Sequence, residues 1–304
     1  MKRRTLLAAA SAVGPLAWLG NAWGARKKSK PHAKSRKPAE ANKDDDDPNW
    51  QPLFDGQSLE GWQPFFAPPA PGKPAPALPQ NVFTVIEDDG HKLLRISGEA
   101  FGALVSAKTY GNYQLRVQWR WGNDKWPPRA HLRRSSGVIL HAVPKGPLFG
   151  DGKPWPTGLE LELQEGSCGD LWVGAGVRVD VPSRRERFMG NPLLMYTAGY
   201  PLQTLPAADA EPRVVKSNDY EKGFGEWNTS EALVFGGNIA FMTNGKLTMQ
   251  CANARTFTGD VETPLNEGAI ALASEGAEIH FKRIALRPLA KRPDRCRLPE
   301  KRPS

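Results

Sequence analysis

The chain of 304 residues is short of the residues that build compact chemical centres. It has three cysteines, Cys168, Cys251 and Cys296, far apart and without Cys-x-x-Cys spacing. That spacing speaks against a zinc ribbon or a dithiol redox motif. One disulfide with a thiol left over, or three buried or unpaired thiols, both remain open. Five histidines (His32, His91, His131, His141 and His280) include no pair at metal-ligand spacing. His131 and His141 can meet only through the fold. There is no Gly-rich phosphate loop and no G-x-S-x-G elbow, so the signatures of P-loop enzymes and serine hydrolases are missing. Long helical periods are scarce, no βαβ rhythm appears, and no repeat of fixed period is present. With 30 glycines and 28 prolines, the composition leans toward β structure.

A basic folded surface is also lacking. The formal charge is +9, but residues 1–47 carry +6 and residues 287–304 carry +5, leaving −2 for residues 48–286. The positive charge belongs to the two ends, which favour an anionic surface only weakly and in a salt-dependent way. A nucleic-acid partner is not expected, because the domain has no basic footprint.

The first 25 residues read as an export signal. Lys2, Arg3 and Arg4 precede an apolar stretch from Thr5 to Leu19, too short to span a bilayer comfortably, and small residues follow near Ala22–Ala25. Arg3-Arg4 before Leu6-Leu7 resembles a twin-arginine signal without its usual phenylalanine, so an ordinary secretory signal stays open. The expected location is periplasmic or secreted, with no stable membrane anchor after signal removal. Residues 26–49 are a charged linker ending in Asp44–Asp47, with almost nothing apolar to bury. Residues 64–80 are Pro/Ala-rich and read as an extended surface insertion. The domain itself is expected over 50–289, with a charged, basic tail over 290–304. Nothing in the sequence sets an oligomeric state.

Within the domain the chain alternates like a β protein. Residues 84–97 form a hairpin pattern with Asp89-Gly90 at the turn, and residues 238–250 form another with Asn244-Gly245. YQLRVQWRW (113–121) alternates cleanly, SGVILHAV (136–143) is a compact apolar run, and 269–274 and 278–289 close the series. Many short strands with hairpin turns predict an antiparallel sandwich or jelly roll.

One strand carries the candidate chemistry. GLELELQEG (158–166) sends Leu159, Leu161 and Leu163 to one face and Glu160, Glu162 and Gln164 to the other. On pattern alone the polar face is either solvated or site-lining. In YQLRVQWRW, Gln114, Arg116, Gln118 and Arg120 share a face and offer a cationic complement, while Trp119 and Trp121 sit on the opposite phase. Ten tryptophans, among them Trp126, Trp155, Trp172 and Trp227 in polar surroundings, suit a sugar that stacks on rings and hydrogen-bonds through its hydroxyls.

Residues 53–62, LFDGQSLEGW, resemble the opening motif of the 3-keto-disaccharide hydrolase domain family, long called DUF1080. The resemblance continues in order through YGNYQLRVQWRW, SSGVILHAV, GLELELQEGSCGDLW, GEWNTSEALVFGGNIAFMTNGK and SEGAEIHFKRIALRPL, over roughly residues 50–289. It implies a concanavalin-like (LamG-like) all-β jelly-roll sandwich, usually exported, acting on glycosides whose C3 hydroxyl has been oxidised to a ketone. The family's Glu-hydrophobic-Gln-hydrophobic strand matches Glu160–Leu163, with Glu162 where Gln is common. His141 sits where related sequences place His or Arg. Ala273 stands where relatives often carry Gln.

A C3 ketone acidifies the C2 proton, so a carboxylate can remove it, the aglycone can leave C1, and water can add to the enone. That chemistry needs a base, donors for the enolate oxygen and an acid. The resemblance implies Glu160 as the base, Glu162 as the second candidate, and His141 as enolate donor or acid. Arg116, Arg120, Gln164 and Asn228 are the expected positioning groups. Glu165, Asp170, Trp172 and Glu275 are further candidates for contact with the sugar. No cofactor is expected, and a divalent cation is left open. A non-catalytic carbohydrate-binding module, or an envelope interaction protein held by its basic ends, are the competing classes on the same sequence.

Overall fold

The computed structural model describes residues 47–66, 78, 80–150 and 153–298. The expected export signal, nearly all of the linker, most of the Pro/Ala-rich insertion and the end of the tail lie outside the described residues.

No α-helix occurs among the described residues, and no helix is long and apolar enough to cross a membrane. The strands are β1 (Gln51–Pro52), β2 (Trp62–Phe65), β3 (Phe83–Asp88), β4 (His91–Ile96), β5 (Gly102–Ser106), β6 (Tyr113–Lys125) and β7 (Gly137–Gly150). They continue with β8 (Lys153–Glu162), β9 (Leu171–Val173), β10 (Val177–Phe188), β11 (Asn191–Tyr196), β12 (Leu202–Leu205) and β13 (Arg213–Val215). The last are β14 (Asn228–Phe235), β15 (Asn238–Thr243), β16 (Lys246–Thr258), β17 (Val261–Pro264), β18 (Ala269–Ser274) and β19 (Ala277–Pro288).

They pair as two layers. The first runs β3–β4–β19–β6–β14–β15–β16, with β1 beside β19. The second runs β2–β5–β18–β7–β8–β9–β13–β11–β10. Pairing of β10 with β16 joins the layers at one edge. Every pairing is antiparallel except β11 with β13. This is the antiparallel jelly-roll sandwich that the sequence predicts.

Both foreseen hairpins form where the turn residues require them. Asp89 and Gly90 have φ of 50° and 70°, and Asn244 and Gly245 have 50° and 76°. Two successive positive φ values are what a type I′ turn needs, and Asn/Asp-Gly supplies them at low cost.

The main core lies between the layers. Leu115, Val117, Trp119 and Trp121 of β6 meet Val138, Leu140, Leu159 and Leu161 of β7 and β8 in one buried cluster. Trp119 is fully buried, donates from Nε1 to Ser230 Oγ at 3.0 Å, and meets Trp121 edge-on at 5.2 Å between ring centroids. A second apolar cluster lies on the outer face of the second layer. It joins Ala103, Val105, Ile139, Ala142, Ala271 and Ala273 with Phe149 and Trp155. Its members alternate with core residues along β5, β7 and β18, so these three strands are apolar on both faces there. The upper part of the β7–β8 hairpin covers that outer face. Its register shifts three times between Leu140 and Gly150, and such bulges bend a strand.

All three cysteines are free and buried. Removing the central ring tests the two-layer core. Trp119→Ala is expected to lower unfolding stability by about 3–5 kcal/mol. In urea titration this appears as a lower midpoint with the slope unchanged.

Candidate functional site

Strand alternation carries the leucines of β8 into the main core and Glu160 and Glu162 onto the opposite face, where the hairpin and its neighbours enclose them. The face is not solvated: Glu160 is 0% and Glu162 2% exposed. Glu160 stands opposite Ile139 on one side and Trp172 on the other. Glu162 stands opposite Gly137. A methyl group at Gly137 would overlap the Glu160 carboxyl, so the missing side chain there makes its space.

The Glu160 carboxyl is half engaged. Oε2 lies 3.4 Å from Lys153 Nζ, and Oε1 is buried without a hydrogen-bond partner. Burial raises the Glu160 pKa to about 7, with Lys153 opposing the rise and Glu275 adding to it. Lys153 itself is held above the ordinary lysine value. Burial alone would lower it, but the charges of Glu160, Glu162 and Glu275 outweigh that. Its ammonium lies 4.1 Å from the Trp172 ring centroid, 5.3 Å from Phe149 and 5.5 Å from Trp155. Trp155 Nε1 is buried without an acceptor.

Glu162 and Glu275 share one hydroxyl. Ser135 Oγ is 3.2 Å from Glu162 Oε1 and 2.8 Å from Glu275 Oε2, and Gln164 Nε2 donates to it at 3.3 Å. A serine hydroxyl has one proton and two lone pairs. The network is satisfied in full when Ser135 donates to Glu275 and accepts from Gln164 and a protonated Glu162. The electrostatics agree. Burial, then the nearby charges of Glu160 and Glu275, hold the Glu162 pKa well above the usual carboxylate range. Glu275 also lies 3.4 Å from Arg129 Nη1.

The remaining expected residues divide. Asp170 is fully buried but committed: it accepts from Arg213 Nε at 2.9 Å and from the Lys216 amide at 3.0 Å. Glu165 is held by the Arg134 amide and guanidinium, both at 2.9 Å. Trp172 lies under Lys153 at the edge of the acid cluster. Gln164 and Glu275 join the cluster through Ser135.

Four expected residues do not meet the glutamates. Arg116 and Arg120 lie on the outer face of the first layer, with the whole core between them and Glu160, because Trp119 and Trp121 take the inward phase of β6. Arg116 pairs with Glu231 at 2.9 Å and stacks on Trp50 at 4.5 Å. Arg120 pairs with Asp88 and stacks on Trp227 at 4.7 Å. The cation that faces the glutamates is Lys153 instead. His141 is turned away by a bulge: three residues of β7, Leu140 to Ala142, occupy the space of two between neighbouring pairings. Ile139 and Ala142 therefore both reach the outer cluster. His141, at φ 50°, points its Nε2 to Gly236 O at 3.1 Å in the β14–β15 turn. Burial lowers its pKa to about 4, so it is neutral, and it is no acid for a sugar on the outer face. Asn228 belongs to a turn latch, accepting from the Lys222 amide at 2.8 Å and from Asn244 Nδ2 at 2.9 Å.

The sequence reading missed Lys153, Ser135 and Arg129. Lys153 carries no local signal, because it reaches Glu160 only through the folding back of the hairpin. Along the outer face also runs a groove of about 580 Å³, lined by Phe65, Val105, Ala142, Val143, Lys145 and Leu265 among others. Its volume is that of a small-molecule site, and its lining includes Glu267 but not Glu160, Glu162 or Glu275.

A family model described as a 3-keto-alpha-glucoside-1,2-lyase-like domain matches residues 49–287. No curated protein matches the chain. Among solved structures, two glycosyl-hydrolase candidates from Parabacteroides distasonis ATCC 8503 are each 17% identical, with TM-scores of 0.46 and 0.44. The alignments cover 82% and 79% of this chain and 98% and 99% of theirs. The carbohydrate-binding module CBM66 of Bacillus subtilis is 9% identical, at a TM-score of 0.38, over 75% of this chain and 95% of its own.

The raised Glu162 has a consequence for stability. A carboxyl whose pKa is higher in the fold than in the unfolded chain lets the fold bind the extra proton, so its contribution is lost as pH rises. Glu162→Gln is therefore expected to melt close to wild type near pH 4.5 and above it at pH 8. Each kcal/mol relieved is worth roughly 2–4 °C in a domain of this size. Calorimetric melting at the two pH values measures the difference.

Proposed function

The chain belongs to the 3-keto-alpha-glucoside-1,2-lyase-like domain family, and from that premise we propose that it cleaves 3-keto-glycosides at the outer face of β7–β8, with Glu160 as the base. The observation that carries the assignment is the half-engaged carboxyl. Glu160 is fully buried, one oxygen lies against Lys153, and the other has no partner. A buried acceptor without a donor is costly, and a substrate C–H acid placed there supplies what is missing.

The reaction follows from the ketone. The C3 carbonyl draws charge from C2, so loss of the C2 proton to Glu160 gives an enolate at the C3 oxygen. Collapse of the enolate expels the aglycone from C1 and leaves an enone. Water then adds at C1 while C2 regains a proton, which completes net hydrolysis. A base works best with a pKa near the working pH, and Glu160 at about 7 meets that condition. Protonated Glu162, whose proton rests on Ser135 in the free site, swings that proton to the developing enolate, as a carboxylic acid kept uncharged by burial can. Trp172, whose ring lies under Lys153, is the aromatic side chain next to the base, of the kind that suits the apolar face of a sugar ring. The groove beside Phe65 and Val105 offers room for the aglycone. Export to the periplasm or beyond would place the enzyme where such glycosides are met.

A binding-only role on the same face is the second reading. Ala273, fully buried in the floor of the outer cluster, stands where a polar side chain is frequent in relatives and gives the sugar no hydrogen bond.

One assay separates the two. The protein is incubated with a 3-keto-disaccharide and with its unoxidised parent. Cleavage of the keto sugar alone is expected, and binding of either without cleavage would sink the enzyme reading. Glu160→Gln is expected to lower kcat/KM by roughly 10²–10⁴-fold with the fold intact by circular dichroism. The wild-type kcat/KM should rise with pH through about 7, because the base acts only when ionised. An unchanged rate in Glu160→Gln removes Glu160 from the role.

A further inference from the structure

We propose that Lys153 is the general acid of the elimination, giving its proton to the glycosidic oxygen as Glu160 takes the proton from C2; this rests on the reading of the preceding subsection. Lys153 opens β8, and Glu160 lies seven residues further along the same strand. In a flat strand that separation is roughly 23 Å. The 3.4 Å contact exists only because the hairpin folds back over the sheet.

The fold-back buries a side chain that is normally left in water. Among the described residues, Glu160 Oε2 is the one acceptor within hydrogen-bonding distance of Nζ. An ammonium has three N–H donors and no lone pair. The rings of Trp172, Phe149 and Trp155 surround the lysine and hold the charge by their π faces. Two donors are thus left for a bound molecule next to a base whose second oxygen is unpartnered. Acid and base stand side by side, which fits a β-glucoside, whose C2 proton and C1 oxygen lie on the same face of the ring; in an α-glucoside they lie on opposite faces.

The protons balance through the cycle. Glu160 starts as carboxylate and Lys153 as ammonium. The C2–H bond breaks to Glu160, the C1–O bond breaks, and the leaving oxygen takes a proton from Nζ. Glu160 is then a carboxylic acid and Lys153 a neutral amine. These are the states the second half needs. The amine takes a proton from water as its oxygen bonds to C1, and Glu160 returns a proton to C2. Both groups end as they began, and no outside acid, oxidant or metal enters the balance.

The test uses leaving groups of different need. Wild type, Lys153→Met and Lys153→Arg are compared on a β-linked 3-keto-disaccharide and on a 4-nitrophenyl 3-keto-β-glucoside, with the α-linked disaccharide beside them, following aglycone release. Nitrophenolate leaves without a proton, whereas a sugar alkoxide does not. Lys153→Met is expected to lose about 10²–10⁴-fold on the disaccharide and roughly tenfold or less on the nitrophenyl substrate. Lys153→Arg keeps the charge but does not give up its proton, so it should behave like Lys153→Met. Both substrates meet the same folded fraction of each variant, so their ratio is independent of any loss of fold. Equal losses on the two substrates would make Lys153 a positioning residue and overturn the proposal, as would full activity in Lys153→Met. Cleavage of the α-linked disaccharide alone would overturn this proposal, and wild-type protein inert on both anomers would overturn the reading on which it rests.

Discussion

The close approach of Lys153 to Glu160 is the contact on which the rest of the site depends. Glu160, Glu162 and Glu275 are drawn together on one sheet face and shielded from water, where uncompensated charge is expensive. The cluster limits the charge in two ways. Glu162 keeps a proton within the Ser135 network, and Glu160 faces a lysine held between aromatic rings. Neither would hold on an open sheet face. The hairpin that covers the face also delivers the lysine, so enclosure and charge compensation come from one element.

That element is possible because β5, β7 and β18 are apolar on both sides. Small side chains at Ala103, Ala271 and Ala273 give a low floor, and Phe149 and Trp155 settle on it. Larger residues at those positions would lift the hairpin and take Lys153 away from Glu160. The main core and the site thus share strands but not faces. The core asks for leucine, valine and tryptophan on one phase of β6, β7 and β8, and the other phase of β7 and β8 is left for the site.

Much of this was legible in the sequence. Period-two alternation located the strands, Asp-Gly and Asn-Gly fixed two hairpins, and the leucines of β8 pointed inward as their spacing predicts. What alternation does not reveal is which layer a face belongs to. Arg116 and Arg120 looked like partners of the glutamates because their charge is complementary, but the two strands lie in different layers and turn their polar faces apart. His141 was expected at the site from the family resemblance, and a bulge carries it away, since one extra residue inverts the alternation there. Strands β9 and β11 to β13 are short and carry no strong pattern, so they were not foreseen; β10 was missed although Val177, Val179 and Val181 alternate into the core. Lys153 was invisible for another reason: its contact depends on the curl of a hairpin, a long-range property with no local spacing.

The central claim is that Glu160 is a base aimed at the carbon beside a ketone. It is tested most directly with a 3-keto sugar that has no leaving group at C1, such as the 3-keto form of 1,5-anhydroglucitol. Elimination is then impossible, and only proton removal can be seen. In deuterium oxide, the C2 proton signal is expected to fade with wild-type protein, well ahead of the rate without protein, and to persist with Glu160→Gln. A C2 signal that persists with wild-type protein, or fades equally with both proteins, would contradict the account.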